Sequence, residues 1–413
     1  MPIWVLPILF LAIGFVAGSI VARIDVAQDS GWTKIAFGGD ADSARSLVSN
    51  LLNGVVSITT LTLTVTIVSL QLASSQYSPR LMKRYLRDRS IQFTVAFFLF
   101  SFAFTLPVSF AIRTASDTDD EQVPQLALSI VVVVSMLALV ALVYFVFHVT
   151  RSVRVENVLS RIADEVIQGL DAGLRLSDGE MPQPHGDART VPARQSGFMT
   201  GCDRDALAAD FEDGDEVWFV VGVGDYVVAG SELCLVTGGS RLDEQILRHV
   251  NVAPERDGSS EVAFGIRQIT DVGVKALSPG VNDPTTAITS IHTATRTLVA
   301  AAQRMRDRRS EVDGASRRVH VPVPSWNELV ADTVGQFAVY GRNDPQVMRT
   351  LTTSLERLAD SAPRRDGALL EVVSVIRELL ADSQLPTVEL VRVHDALDRV
   401  AESEAIRPGE TQR

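Results

Sequence analysis

Residues 51–73 read LLNGVVSITTLTLTVTIVSLQLA. Thr60, Thr62, Thr64 and Thr66 alternate here with Leu61, Leu63, Val65 and Ile67, a period of two that in water marks a β-strand. The run also holds no charge, and its length is what a helix needs to cross a hydrocarbon core about 30 Å thick. A lone strand leaves its backbone unbonded in lipid, so the stretch is expected to be a membrane helix. At 100° per residue, Asn53, Ser57, Thr60, Thr64 and Gln71 fall on one stripe, and Thr59, Thr62, Thr66 and Ser69 on the opposite one. Two polar stripes imply protein or water on both sides. Two readings stand: a pore-lining helix of an oligomer, whose hydroxyls and amides replace part of a permeant's hydration, or close helix packing through small hydroxyl residues.

Three more uncharged runs flank this one, Ile3 to Ala22, Ile91 to Ile112 and Leu126 to Val149, giving an all-α membrane domain of four transmembrane helices over residues 1–150. Only Met1 and Pro2 precede the first run, so it lacks the basic start of a cleaved signal and reads as a retained helix. The third run carries seven phenylalanines and Pro107, which is expected to kink it. No span buries an ionisable residue of the kind that transporters and proton relays use, and His148, at the end of the fourth, reads as interfacial. Arg80, Lys83, Arg84, Arg87 and Arg89 after the second span, with Arg151, Arg154 and Arg161 after the fourth, belong on the cytoplasmic side. Asp117, Asp119, Asp120 and Glu121 after the third belong outside, which places both termini in the cytoplasm of a multi-pass plasma-membrane protein. Ser78-Pro79 followed by Leu81, Met82, Tyr85 and Leu86 suits either a short helix at the headgroups or a solvated basic loop.

Composition agrees with this division. The 413 residues are 46% hydrophobic and 21% charged, and the charge lies mostly after Arg151. A net charge of −12 with no basic surface argues against nucleic acid as a partner. Cys202 and Cys234 have no paired spacing and no nearby His, so they read as core residues rather than metal ligands, and no cofactor is expected.

The second half is expected to be a cytoplasmic α+β domain, mainly helical with a small β-barrel-like insert. A juxtamembrane helix over 151–176 continues the fourth span, with Val155, Leu159, Ile162, Val166 and Leu170 as its seam. Residues 177–240 combine a Pro- and Gly-rich linker with short β runs, Val217 to Val223, Tyr226 to Val228 and Leu233 to Val236, around Gly224-Asp225 and Gly230. The GD-x-V-x-x-G-x-x-L spacing looks like the turns of a lipoyl-type hammerhead, without an acceptor lysine. A helical domain follows over 241–306 and a C-terminal bundle over 324–406. Within FGIRQITDVGVKALSPGVNDPTTA, Arg267, Asp271 and Lys275 share one helix face. Ser278-Pro279-Gly280 then ends that helix, and Asn282-Asp283-Pro284 starts the next with Asp283 as its N-cap. Arg267, Asp271, Lys275, Ser278, Asn282 and Asp283 thus form either a structural corner or a contact for a ligand or a second subunit.

SSQYSPR, GDYVVAG and above all ALSPGVNDPTTA make the chain resemble the bacterial predicted membrane protein family called domain of unknown function 2254, over nearly its whole length. The resemblance implies the architecture and carries no activity. No Walker loop, GxSxG, HExxH or CxxC occurs, and the six histidines show no metal spacing, so an enzyme is the least supported class. An oligomeric channel or transport-related protein for a small ion or solute, with a cytoplasmic regulatory domain, is the leading expectation. A membrane-anchored sensor or scaffold that binds a cytoplasmic partner or small ligand is the alternative.

Overall fold

The computed structural model describes residues 4–24, 40–76, 88–112, 124–152, 154–171, 181–184, 187–212, 214–239, 241–256, 261–307, 318–361 and 368–405. The chain divides into two compact units, 1–157 and 158–413.

The first unit consists of α1 (Val5–Val21), α2 (Ala41–Gln76), α3 (Arg89–Ala111) and α4 (Gln125–Ser152). The threonine-rich stretch is helical throughout. Three helices are long and apolar enough to cross a membrane, in the segments Ala41–Gln71, Arg89–Ala111 and Gln125–Ser152. The four crossings expected from hydropathy are therefore met by three, and α1 is a shorter apolar helix of 17 residues. It packs on α3 through Gly14 and Gly18, where backbone meets backbone: a Cβ on Gly14 would lie 2.5 Å from the Phe100 carbonyl oxygen. This is small-xxx-small packing, which the sequence reading passed over. Phe10 of α1 lies edge-on to Phe93 of α3 at 5.2 Å. The α3 helix runs on through Pro107 to Ala111.

The start of α2 lies ten residues before the expected one because a second stretch, amphipathic rather than wholly apolar, is joined to the span. Asp40 accepts the Ser43 amide at 3.0 Å, and Ala41, Ala44 and Val48 pack against Ile112 and Leu128. Ala41, Val48, Val55, Thr62 and Ser69 are all buried, so the inward seam of α2 repeats every seven residues. The basic loop with its expected headgroup helix, and the acidic loop after α3, lie outside the described residues.

The expected continuation of α4 into a juxtamembrane helix is interrupted. The α4 helix ends at Ser152, Arg154 is non-helical, and α5 (Val155–Asp171) starts anew. The break is made by Asn157, whose side-chain amide donates to the Arg151 carbonyl at 2.8 Å and so caps the end of α4. In α5 the seam Leu159, Ile162, Val166 and Leu170 is buried.

The second unit holds β1 (Arg189–Pro192), β2 (Gly197–Cys202), α6 (Arg204–Ala209), β3 (Glu216–Phe219), β4 (Tyr226–Val227), β5 (Glu232–Thr237), α7 (Leu242–His249) and β6 (Val250–Ala253). These are followed by α8 (Val262–Ala276), α9 (Pro284–Asp307), β7 (Val319–His320), α10 (Trp326–Gly341), α11 (Pro345–Ser361), α12 (Ala368–Ala381) and α13 (Thr387–Ala405). Among the described residues the strands form two open sheets, β1-β5-β3-β7 and β4-β2-β6, rather than the barrel-like insert expected. The reason lies in the GDYVVAG turn. The Asp225 carboxylate accepts the Gly222 amide at 2.8 Å and Gly224 adopts φ 100°, which a side chain resists, so the chain leaves one sheet at β3 and joins the other at β4. One core serves both sheets: Val217, Phe219, Cys234 and Val236 from the first, Met199 and Val227 from the second, with Leu207 of α6 and Leu242 and Ile246 of α7.

Helices α8 to α13 form the helical part. Ser325 and Glu328 make a reciprocal capping box at the start of α10, and Trp326 donates its indole N–H to the Leu298 carbonyl of α9 at 3.1 Å. Gly273 of α8 faces Ser290 and Phe337 with no room for a Cβ, which draws α8, α9 and α10 into one contact. The helix α5 joins this group through Asp164 with Arg296 at 2.5 Å and Asp171 with Arg304 at 2.8 Å, and its Val166 fills the space left by Gly265.

Candidate functional site

On α2 the stripe Asn53, Ser57, Thr60, Thr64 and Gln71 is exposed along its whole length, with Ile67 in the same register. These positions step by four, three, four, three and four residues, the spacing of a coiled-coil seam. From Asn53 to Gln71 the stripe rises about 27 Å at 1.5 Å per residue, close to the thickness of the hydrocarbon layer. Its hydroxyls donate to carbonyls one turn back: Ser57 to Asn53 at 2.8 Å, Thr60 to Val56 at 2.9 Å and Thr64 to Thr60 at 2.9 Å. Each of these three hydroxyl donors is thus used internally, and between the amides of Asn53 and Gln71 the polar groups the face presents outward are acceptor oxygens.

The opposite stripe faces the neighbouring helices, with Thr62 and Ser69 buried and Thr59 and Thr66 half-buried. Thr62 of α2, Ser101 of α3 and Ser135 of α4 are buried with side-chain oxygens that find no partner among the described residues. At one end of the unit, Asp88 caps α3 by accepting the Ser90 amide at 2.8 Å and meets His148 Nε2 of α4 at 2.9 Å. Tyr144 stacks on His148 at 5.7 Å. At the other end, Arg45 of α2 donates to the Ile112 carbonyl at 3.3 Å.

In the second unit, Arg267 Nε donates to Asp271 at 3.0 Å along α8, and Lys275 lies one turn further on. Ser278 donates its hydroxyl to the Lys275 carbonyl at 2.6 Å, and its own carbonyl accepts the Asn282 amide at 2.9 Å. Asn282 is the non-glycine with positive φ among the described residues, at 48°, a conformation Asn tolerates. Asp283 then caps α9 by accepting the Thr286 amide at 3.1 Å and hydroxyl at 2.6 Å. Those two bonds hold its carboxyl below the ordinary value of 3.8. The Ser278 hydroxyl and the Asp283 carboxylate are thus bonded within the corner, while Pro279, Gly280, Val281 and Asn282 face solvent.

Beside this face lies a half-open cavity of about 170 Å³ between α8 and α10. Arg256, Arg267, Asp332 and Gln336 supply its polar wall and Ala263, Ile266 and Leu329 its apolar floor. Arg256 is held from three sides. Its guanidinium lies 5.0 Å from the Phe264 ring centre and 6.0 Å from that of Phe198, and its Nε and Nη2 donate to the two oxygens of buried Glu261. Glu261 in turn fills the space above Gly224, which links the GDY turn to the start of α8. Of this cavity only Arg267 was read from the sequence as a contact residue; Arg256 precedes α8, and Asp332 and Gln336 lie one turn apart on α10, with no local signal that joins them. Cys202 and Cys234 belong to the sheet core, and burial pushes both thiols up to about 12. Histidines pair singly with acids, His249 with Asp210 at 3.1 Å and His320 with Glu216 at 2.7 Å, and no metal-holding group occurs among the described residues.

The family model described as Predicted membrane protein (DUF2254) matches residues 1–357, which takes in the apolar helices, the GDY turn, the SPGVNDP corner and the cavity. The chain belongs to the DUF2254 family. Its curated relatives include the uncharacterized protein MT1328 of Mycobacterium tuberculosis (strain CDC 1551 / Oshkosh), 28% identical over 399 residues, covering 91% of this chain and 75% of the relative. The uncharacterized proteins Mb1321c of Mycobacterium bovis and Rv1290c of Mycobacterium tuberculosis (strain ATCC 25618 / H37Rv) are also 28% identical, over 398 residues with the same coverage. No solved structure matches. This DUF2254 chain is therefore a membrane protein by family and by its apolar helices, with lipid as its surroundings.

Proposed function

We propose that this DUF2254 protein assembles as a homo-oligomer in the plasma membrane and that α2 of each copy lines a shared path for a small ion or solute, regulated by the cytoplasmic unit. The observation that carries this reading is the exposed seam Asn53, Ser57, Thr60, Thr64 and Gln71. Lipid gives acceptor oxygens and amides nothing to bond, whereas a second copy or a column of water does. Acceptor oxygens facing inward favour a cation or a hydrogen-bond donor as the permeant. In this arrangement α1 is the fourth crossing, held by its glycine contact with α3, and the arginine-rich loops place both termini in the cytoplasm. Purified protein in liposomes is expected to pass small cations, and Thr60→Leu with Thr64→Leu to reduce that flux severalfold while the assembly survives. Flux unchanged by the pair, or a protein that stays monomeric in mild detergent and in lipid, refutes the reading.

The second reading, a membrane-anchored sensor or scaffold, is favoured by the cavity between α8 and α10. It predicts ligand binding with no flux under any condition.

A further inference from the structure

We propose that the cavity between α8 and α10 is a binding site for a small zwitterion of the amino-acid class. Its carboxylate would take the free guanidinium N–H groups of Arg256 and Arg267, and its ammonium would take Asp332. Arg256 is set up for this role. With Nε and Nη2 occupied by Glu261, its Nη1 has no partner among the described residues, and two aromatic rings fix the plane of the guanidinium. A held, half-buried Arg loses little freedom on meeting a planar anion. Arg267 uses Nε on Asp271 and keeps its two terminal nitrogens.

Charge selects among ligands. Glu261 and Asp271 each cancel one arginine, and Asp332, with no ion pair among the described residues, leaves the wall one unit negative. A plain anion is repelled by that excess, and a plain amine leaves the arginine N–H groups unused. A molecule carrying both signs satisfies both walls, with Gln336 able to donate or accept beside them. Size agrees. About 170 Å³ is room for roughly six waters at about 30 Å³ each, below the range of drug-sized sites. Ala263, Ile266 and Leu329 offer an apolar floor for a short aliphatic side chain. The site does not depend on a path along α2, since a chain that conducts nothing would still bind.

The test is calorimetric titration of the purified full-length protein in detergent with alanine, serine, leucine and glutamate, alongside acetate, inorganic phosphate and ethylamine. At least one amino acid is expected to bind saturably at millimolar concentration or below, with acetate, phosphate and ethylamine at least tenfold weaker. Arg267→Gln and Asp332→Asn, both at exposed positions, are each expected to weaken that amino acid tenfold or more, the loss of one charged hydrogen bond, without lowering the unliganded melting temperature. Phosphate or ethylamine binding as tightly as every amino acid overturns the proposal. So does the absence of binding by all four amino acids, or binding that both variants leave unchanged.

Discussion

Replacing Gly18 by leucine is the sharpest probe of the membrane unit. A Cβ at this position would lie 2.9 Å from the Phe104 carbonyl carbon and 3.0 Å from its Cα, where carbon atoms rest at about 3.5–4.0 Å. Backbone cannot rotate out of the way as a side chain can, so α1 must retreat from α3 by roughly 1 Å, a shift that also loosens the Phe10 contacts with Phe93 and Phe100. Overpacking of this kind costs about 1–3 kcal/mol, and Gly14→Leu should cost a similar amount. The double variant should cost less than the sum, because one displacement relieves both clashes. Melting of the full-length protein in detergent, read by circular dichroism or by protease protection of α1, measures the effect. Gly54→Ala is the matched control: nothing lies within 4 Å of it, and a helical alanine gains up to about 1 kcal/mol over glycine. A Gly18→Leu protein that melts where the wild type does, with α1 equally protected, would refute the α1–α3 contact.

Asp283→Ala should lower stability by about 1 kcal/mol at neutral pH through loss of the α9 cap. Because the folded carboxyl titrates below its ordinary 3.8, the stabilisation is full above that value and fades as pH falls through the lowered one, so the gap between wild type and variant should narrow in melts taken at successively lower pH below 3.8. Cys202 and Cys234, with thiols near 12, should resist iodoacetamide at pH 8 in the folded protein and react after denaturation; fast native labelling would contradict their burial. Gly224→Ala combines a positive φ with an approach to the Glu261 carboxylate and should cost about 2 kcal/mol or more, seen as an earlier urea midpoint.

The membrane helices were legible because a bilayer demands a fixed length of apolar chain, and that demand overruled the β-like alternation of Thr60 to Ile67. The start of α9 was legible to the residue because it carries its own bonds, from Thr286 to the Asp283 cap. Strands β1 and β2 were not. Arg189–Pro192 read as part of a Pro- and Gly-rich linker and Gly197–Cys202 as no element of its own, and what makes β1 a strand is pairing of Thr190 with Leu235, a partner far along the chain. The barrel expectation failed for a related reason: turn spacing around Gly224 fixes the turn and says nothing of which sheet receives the next strand. The α2 stripe was readable from helical angle alone, since neighbours at i and i+4 are set by the helix itself. The cavity was hidden because Arg256, Arg267 and Asp332 meet only when α8 and α10 pack, and no periodicity announces that meeting.

The hydroxyls of Ser57, Thr60 and Thr64, each already donating to its own helix, bear on how such a protein is made. Between Asn53 and Gln71 a single newly inserted chain carries no stranded hydroxyl donor on that face, so it can reside in the bilayer alone at modest cost and meet other chains afterwards by lateral diffusion. Membrane insertion and assembly then become separable steps, and swapping these residues for asparagine, whose amide donors the backbone cannot absorb as readily, would fuse the two.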